Sequence, residues 1–359
     1  MRANGASGAA SASGIQLQAS ALRARALVAG IVAVVIAVVA GLTIGPAGIP
    51  AHRVLMELAD LLPGIAVESG LNDSHKAIVT DIRLPRVVLG LLVGATLATS
   101  GATYQAAFRN PLADPYLLGI AAGAGLGATI AIVNDIGDGA GVFDLVPIAA
   151  FGGALGAVTV AYLAGHIGGR STASLILAGI AVASFLAACQ TYLLQANADA
   201  FRRILAWLLG RIATSGWAEP ALLLPYFLVT TAIMLRYRRA LDVLAVGDEE
   251  AAALGLEPRR IRLIVLLAAS LGAAAAVSVS GLISFVGIIV PHAIRLVFGT
   301  SNRILLPLSV LFGAAFLVLA DLTARTVLSP AELPIGVVTA FLGAPFFVFV
   351  LRTSRREIW

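Results

Sequence analysis

The stretch SGATYQAAFRNPLADPYLLGIAAGAG, Ser100 to Gly125, places an arginine, an asparagine, an aspartate and two prolines between two segments suited to lipid. In a soluble domain such a turn is ordinary. Between apolar flanks it is costly, because backbone outside a helix has no water to satisfy its peptide groups unless it faces a cavity or packed protein. Pro111 and Pro115 stop helices and stiffen what lies between them. The turn Arg109-Asn110-Pro111-Leu112-Ala113-Asp114-Pro115 therefore has a task.

Working outward, the composition identifies the solvent. The chain is 59% hydrophobic and 12% charged, with mean hydropathy +0.97, unlike a soluble domain. Apolar runs long enough for a bilayer core of roughly 30 Å recur along it. Ten are predicted: 26–45, 86–107, 116–133, 147–165, 175–195, 221–237, 261–280, 282–298, 304–327 and 335–351. The Ala/Ser/Gly-rich residues 1–22 read as a disordered tail. The first run is too long and lacks a cleavage site for a removed leader, so it reads as a retained span.

The net charge of +5 comes from arginine, since Lys76 is the only lysine. The arginines gather at the ends of apolar runs, which is membrane topology and not a nucleic-acid surface. With ten spans and the N-terminus inside, sixteen of the 24 basic residues fall on the cytoplasmic side, which predicts both termini there. The quoted turn then lies at the cytoplasmic mouth.

Glycines at intervals of four, Gly123/Gly127, Gly152/Gly156 and Gly165/Gly169, suit close helix packing in lipid. A faint internal echo joins two halves. Arg86 opens a helix reaching Ser100-Gly101, Arg262 opens one reaching Ser280-Gly281, and proline-containing turns at Asn110-Pro111 and Pro291-His292 follow. The two helices run in opposite senses, as in inverted repeats.

Several chemistries are absent from the sequence. The sole lysine has no glycine-rich phosphate loop, so the chain is not expected to hydrolyse ATP or to bind a cofactor itself. His52, His75, His166 and His292 are scattered, giving no metal cluster. No G-x-S-x-G elbow and no paired intramembrane carboxylates suggest an enzyme. Cys189 reads as a small hydrophobe. Asp321 is the one candidate for proton coupling, but Arg325 at i+4 pairs with it on one helix face. That leaves an ion-coupled secondary transporter as the weaker alternative.

Between spans six and seven runs Gly247-Asp248-Glu249-Glu250-Ala251-Ala252-Ala253-Leu254-Gly255-Leu256. Asp248 can cap a helix, Glu249 and Glu250 favour its positive end, and Gly255 can stop it. One or two turns are unstable alone. Docking onto a partner and a solvated connector are both open readings.

Six stretches in register carry a resemblance. Asp81-Ile82-Arg83-Leu84-Pro85-Arg86, the opening stretch, Leu177-Ala178-Gly179-Ile180-Ala181, GDEEAAALGL, SGLISFVGIIVPHAIR and SPAELPIGVVTAFLGAPFF together resemble the permease subunits of ABC importers for vitamin B12, iron-siderophores and haem. The resemblance covers about residue 80 to the C-terminus. It implies an all-α type II importer permease fold over 23–359, with ten transmembrane helices and inverted-repeat character. The implied partners are a second copy of the chain, two ATPase subunits that carry ATP and magnesium, a periplasmic binding protein, and the lipid of a bacterial inner membrane.

Residue roles follow from the same resemblance. The segment about 248–256, with Asp248, Glu249, Glu250, Ala251, Leu254 and Gly255, is implied as the coupling helix that enters the ATPase. Asn110 and Leu112, with Thr172 and Ala173 from the turn before span five, are implied as a cytoplasmic gate. Arg83, Arg86 and Arg325 are implied as docking points for glutamates of the binding protein. A departure from the family pattern occurs at Trp207-Leu208-Leu209-Gly210-Arg211, where arginine replaces a small residue. With Arg202 and Arg203 it forms a possible entrance for an anionic cargo. Haem, with two propionates, leads; an iron-siderophore or cobalamin is the alternative.

Overall fold

The computed structural model describes residues 6–60, 67–136, 145–167, 172–212 and 216–354; the side chains of 6–23, 172 and 349–354 lie outside that description. The chain is helical, with no strand among the described residues. The order is α1 (Ala6–Thr43), α2 (Ala51–Asp60), α3 (Asp73–Ala77) and α4 (Leu84–Phe108), the last two joined by a π-helical turn Ile78–Arg83. Then follow α5 (Ile120–Val133), α6 (Leu145–Ile167), α7 (Thr172–Ala196), α8 (Phe201–Leu208), α9 (Ala218–Val246) and α10 (Asp248–Ala253). The last four are α11 (Pro258–Ser280), α12 (Val286–Phe298), α13 (Asn302–Thr326) and α14 (Ile335–Ser354).

Seven of these are long and apolar enough to cross a membrane, and α5, α12 and Ile335–Val348 are shorter apolar helices. Together they fall on the ten predicted spans. Helix α1 begins at Ala6. Three expectations are corrected. The third span starts at Ile120, because Pro115–Leu118 forms a 3-10 turn closed by Gly119 at φ 83°. Pro291 lies inside α12, not in a turn. Ser100-Gly101 sits within α4, whereas Ser280 ends α11, so the two serine–glycine pairs are not equivalent.

Helix α4 is the axis of the bundle, packing against α9, α11, α12 and α13. Its span is 89% buried, against 6% for that of α7. Small residues make this possible. A Cβ at Gly94 meets the Gly313 carbonyl oxygen at 2.2 Å, and one at Gly101 meets that of Gly287 at 2.1 Å. The α5–α6 crossing is equally close at Gly123, Gly127 and Gly153. The predicted Gly152/Gly156 pair is not part of it, since both face open space. Gly165 does meet α7, at Leu175, while Gly169 lies outside the described residues.

Polar bonds inside the core fix helix register. Tyr104 Oη lies 2.5 Å from Ser270 Oγ. Gln105 donates to the Gly287 carbonyl at 2.9 Å and accepts from Arg295 at 2.5 Å. Buried polar groups with partners cost little, whereas each would be expensive alone.

Candidate functional site

Helix α4 begins at one end of the bundle with Arg86 and reaches the other at Arg109; the two ends carry different chemistry. At the Arg109 end the opening turn is built as the prolines predict. Arg109 caps α4 in the left-handed region, φ 50°. Asn110 Oδ1 accepts from the Leu112 N–H at 2.9 Å, and its carbonyl accepts from Ala113 N at 3.1 Å. Asp114 caps the following 3-10 turn through Tyr116 N at 2.8 Å. Enclosure raises the Asp114 carboxyl to about 6, opposed by that hydrogen bond. Tyr116 Oη donates to the Ile283 carbonyl at 2.9 Å, and burial pushes its hydroxyl pKa up.

Leu112 projects from this turn, 43% exposed. The second turn expected at the gate is reached only in part. Ser171 and the Thr172 side chain lie outside the described residues, and Ala173 is exposed in the first turn of α7. Further along α7, Gly179 packs on the Leu117 carbonyl, joining that helix to the opening turn.

The segment 247–256 folds as its composition predicts, with one change. Helix α10 ends where Gly255, φ 80°, lets its N–H reach Ala252 O at 2.9 Å and Leu256 N reach Ala251 O at 3.0 Å. Ala251 is buried against the bundle, while Leu254 is 71% exposed and Glu249 and Glu250 face outward. Asp248 is not a cap: the cap position is Gly247, with no side-chain bond. Its carboxylate instead pairs with Arg109, and with Arg262 through contacts of 2.9 and 3.2 Å. Arg262 also donates Nε to the Ala107 carbonyl at 3.0 Å. Sequence reading missed this link, because the partners lie 139 and 14 residues from Asp248.

At the Arg86 end stand the three arginines expected to dock a binding protein, and two of them, Arg83 and Arg325, turn inward. Both are buried, at 4% and 5% exposure, and both serve the C-terminus of α1. Arg83 donates to Leu42 O at 2.8 Å and Thr43 O at 3.3 Å, and Arg325 donates to Gly41 O. These are last-turn carbonyls that a helix cannot satisfy itself. Arg86 is bidentate on Asp321 at 2.8–3.1 Å and also holds Glu332 at 2.9 and 3.0 Å. Asp321 lies 3.7 Å from Arg325, the i+4 pair read from sequence. The Arg86 hydrogen bond holds Glu332 below the usual carboxylate pKa.

The entrance arginines are partly assembled. A cavity of about 360 Å³ at this end is lined by Arg203, Arg211, Trp207, Asp135 and Glu219, with the end of α11. Arg203 pairs with Asp135 at 2.7 Å. Arg202 is exposed and not in the lining. Two carboxylates thus offset the two arginines present. No cluster of histidine, cysteine, aspartate and glutamate able to hold a metal occurs among the described residues.

Comparison with known proteins places the chain. The FecCD transport family model matches residues 27–353. The chain is 43% identical to the cobalamin import system permease protein of Halobacterium salinarum, over 80% of this chain and 76% of that one. It is 38% identical to the hemin transport system permease protein of Yersinia pestis, covering 80% and 86%, and 36% identical to the Fe(3+)-citrate import system permease protein of Bacillus subtilis, covering 78% and 83%. A solved structure of a metal-chelate type ABC transporter in an inward-facing conformation matches with TM-score 0.79 and 29% identity, over 91% of this chain and 98% of that one. The chain belongs to the FecCD transport family and is a multi-pass membrane protein of the permease type.

Proposed function

We propose that two copies of this permease form the membrane pathway of an ATP-driven importer that receives haem from a periplasmic binding protein and releases it in the cytoplasm. Separate ATPase subunits hold ATP and magnesium and seat against α10. The observation that carries this reading is the form of α10. It is a six-residue helix with two glutamates turned outward and an exposed leucine at its C-cap, and it is tied at its first residue to the turn expected to gate the pathway. A helix too short to stand alone, with Leu254 exposed, is a docking element. The arginine bias supports an inner-membrane location with Arg109 and α10 on the cytoplasmic side.

An ion-coupled carrier needs a mobile intramembrane carboxylate. Asp321 is held by two arginines, which disfavours that alternative. Asn110 and Leu112, with Thr172 and Ala173 across the second turn, close the pathway at its inner end. Haem is favoured by Arg203 and Arg211 in the opposite cavity, whereas Asp135 and Glu219 weaken an anion site there. Ferric siderophore and cobalamin are therefore the competing cargoes, as relatives named for iron-citrate and cobalamin transport also suggest.

The test is ATP hydrolysis by the purified permease–ATPase complex with binding protein loaded in turn with haem, a ferric siderophore or cobalamin. Haem is expected to stimulate most. Stimulation by one of the others alone reassigns the cargo.

A further inference from the structure

We infer that Asp248, Arg109 and Arg262 form an ionic strut that transmits displacement of α10 to the turn 109–115, with the two arginines as positioning residues. The inference rests on the reading of α10 as the helix that meets the ATPase.

The geometry is that of a three-point joint. Arg109 is the residue at which the chain leaves α4 for the turn, and its side chain reaches Asp248. Arg262, in the first turns of α11, grips two elements at once: its Nε holds the Ala107 carbonyl in the last turn of α4, and its terminal nitrogens hold Asp248. Helix α10 itself packs on α9 and α11. Its first residue is thus also its link to α4. A planar, permanently charged guanidinium suits a joint that must keep direction as well as attraction.

Beyond Arg109 the turn is stiff. Asn110 bonds to Leu112 and Ala113, and prolines stand at 111 and 115. A displacement entering at Arg109 therefore reaches Leu112 with little loss to local bending. Arg109 occupies the left-handed region, which non-glycine residues seldom adopt, so surrounding bonds must hold it there. The strut is also free to move. Asp248 and Arg109 are partly exposed, and Asp248 and Arg262 border a cavity of about 360 Å³ shared with Phe108 and Leu175.

The test uses the full complex in nanodiscs, with Cys189→Ala and a spin label on Leu112→Cys in both copies. Label-to-label distances are recorded without nucleotide and with ATP and vanadate, beside the ATP hydrolysis rate. Arg109→Gln and Arg262→Gln should keep ATPase assembly and hydrolysis within about twofold, while the ATP-driven population shift at Leu112 falls about fivefold or more. Arg109→Lys and Arg262→Lys should recover most of the shift. Asp248→Asn combined with Arg109→Gln should add little to the single loss, because both break one joint.

A full shift in the glutamine variants overturns the strut, as does additivity in the double variant. Loss of assembly together with the shift, unrecovered by lysine, also overturns it and makes the arginines structural. If the unsubstituted chain recruits no ATPase subunit, the underlying reading of α10 fails instead.

Discussion

Two aspartates, each between two arginines, stand at opposite ends of the molecule and do different work. Asp321 lies between Arg86 and Arg325, and Asp248 between Arg109 and Arg262. The side chains of Asp321 and Arg325 are each 5% exposed; that of Asp248 is 47%. In the first group the charges join α4 to α13 and help close the end of α1, all in a packed interior. In the second they join a six-residue helix, a turn and a helix end in reach of water. Coulomb attraction and desolvation both grow as the dielectric falls. The same residue triplet is thus a fixed brace at one end and a breakable link at the other.

The largest effect follows from that difference. Asp321→Ala removes, among the described residues, the only carboxylate of buried Arg325 and leaves Arg86 with Glu332 alone, and should lower stability by roughly 3–5 kcal/mol, read as a fall in the melting temperature of the detergent-solubilised protein. Asp248→Ala should cost about 1 kcal/mol or less in the same assay, yet abolish most cargo uptake. Equal melting losses for the two variants would erase the distinction between brace and link.

A smaller effect sharpens the picture at the brace. Glu332 is half exposed and bonded to Arg86, so Glu332→Gln should lower stability by less than about 1 kcal/mol. Because its folded pKa is depressed below 4.5, the Glu332 contribution is present above that value and is lost as pH falls through the folded pKa. The variant should therefore converge with the parent in acid. A gap that widens below pH 4.5 would show that Glu332 acts otherwise.

The smallest expected effect concerns the cavity at the brace end. Changing Arg202, Arg203 and Arg211 together to glutamine should leave assembly and basal ATP hydrolysis unchanged and reduce haem uptake modestly. Each exposed arginine contributes on the order of 1 kcal/mol or less, and Asp135 and Glu219 already offset two of them. Haem uptake at the parent rate would remove the sequence argument for haem.

These outcomes bear on what a sequence reveals. The ten apolar helices, the stiff turn after Phe108 and the glycine-stopped helix at 248–253 were legible, since each follows from local rules: hydropathy, proline at helix ends, a glycine at positive φ. The i+4 pair Asp321–Arg325 was legible for the same reason. The contacts that give charges their roles were not. Arg83 and Arg325 were given a docking role by the family resemblance alone, and nothing local shows that the carbonyls they bond belong to α1, 41 and 284 residues away. Arg109 stood in the opening stretch without a partner, because nothing local points to Asp248. Gly152 and Gly156 had the right spacing, yet the crossing uses Gly153, one position round the helix.

The most direct test of the account is uptake into proteoliposomes holding the permease with its ATPase subunits, with ATP supplied only on the face that carries α10. The account predicts ATP-dependent uptake from the opposite side, lost when 248–255 is replaced by a Gly/Ser linker although the chain still inserts normally. Uptake that proceeds without the ATPase subunits under an ion gradient, or full ATPase recruitment by the linker variant, would contradict it.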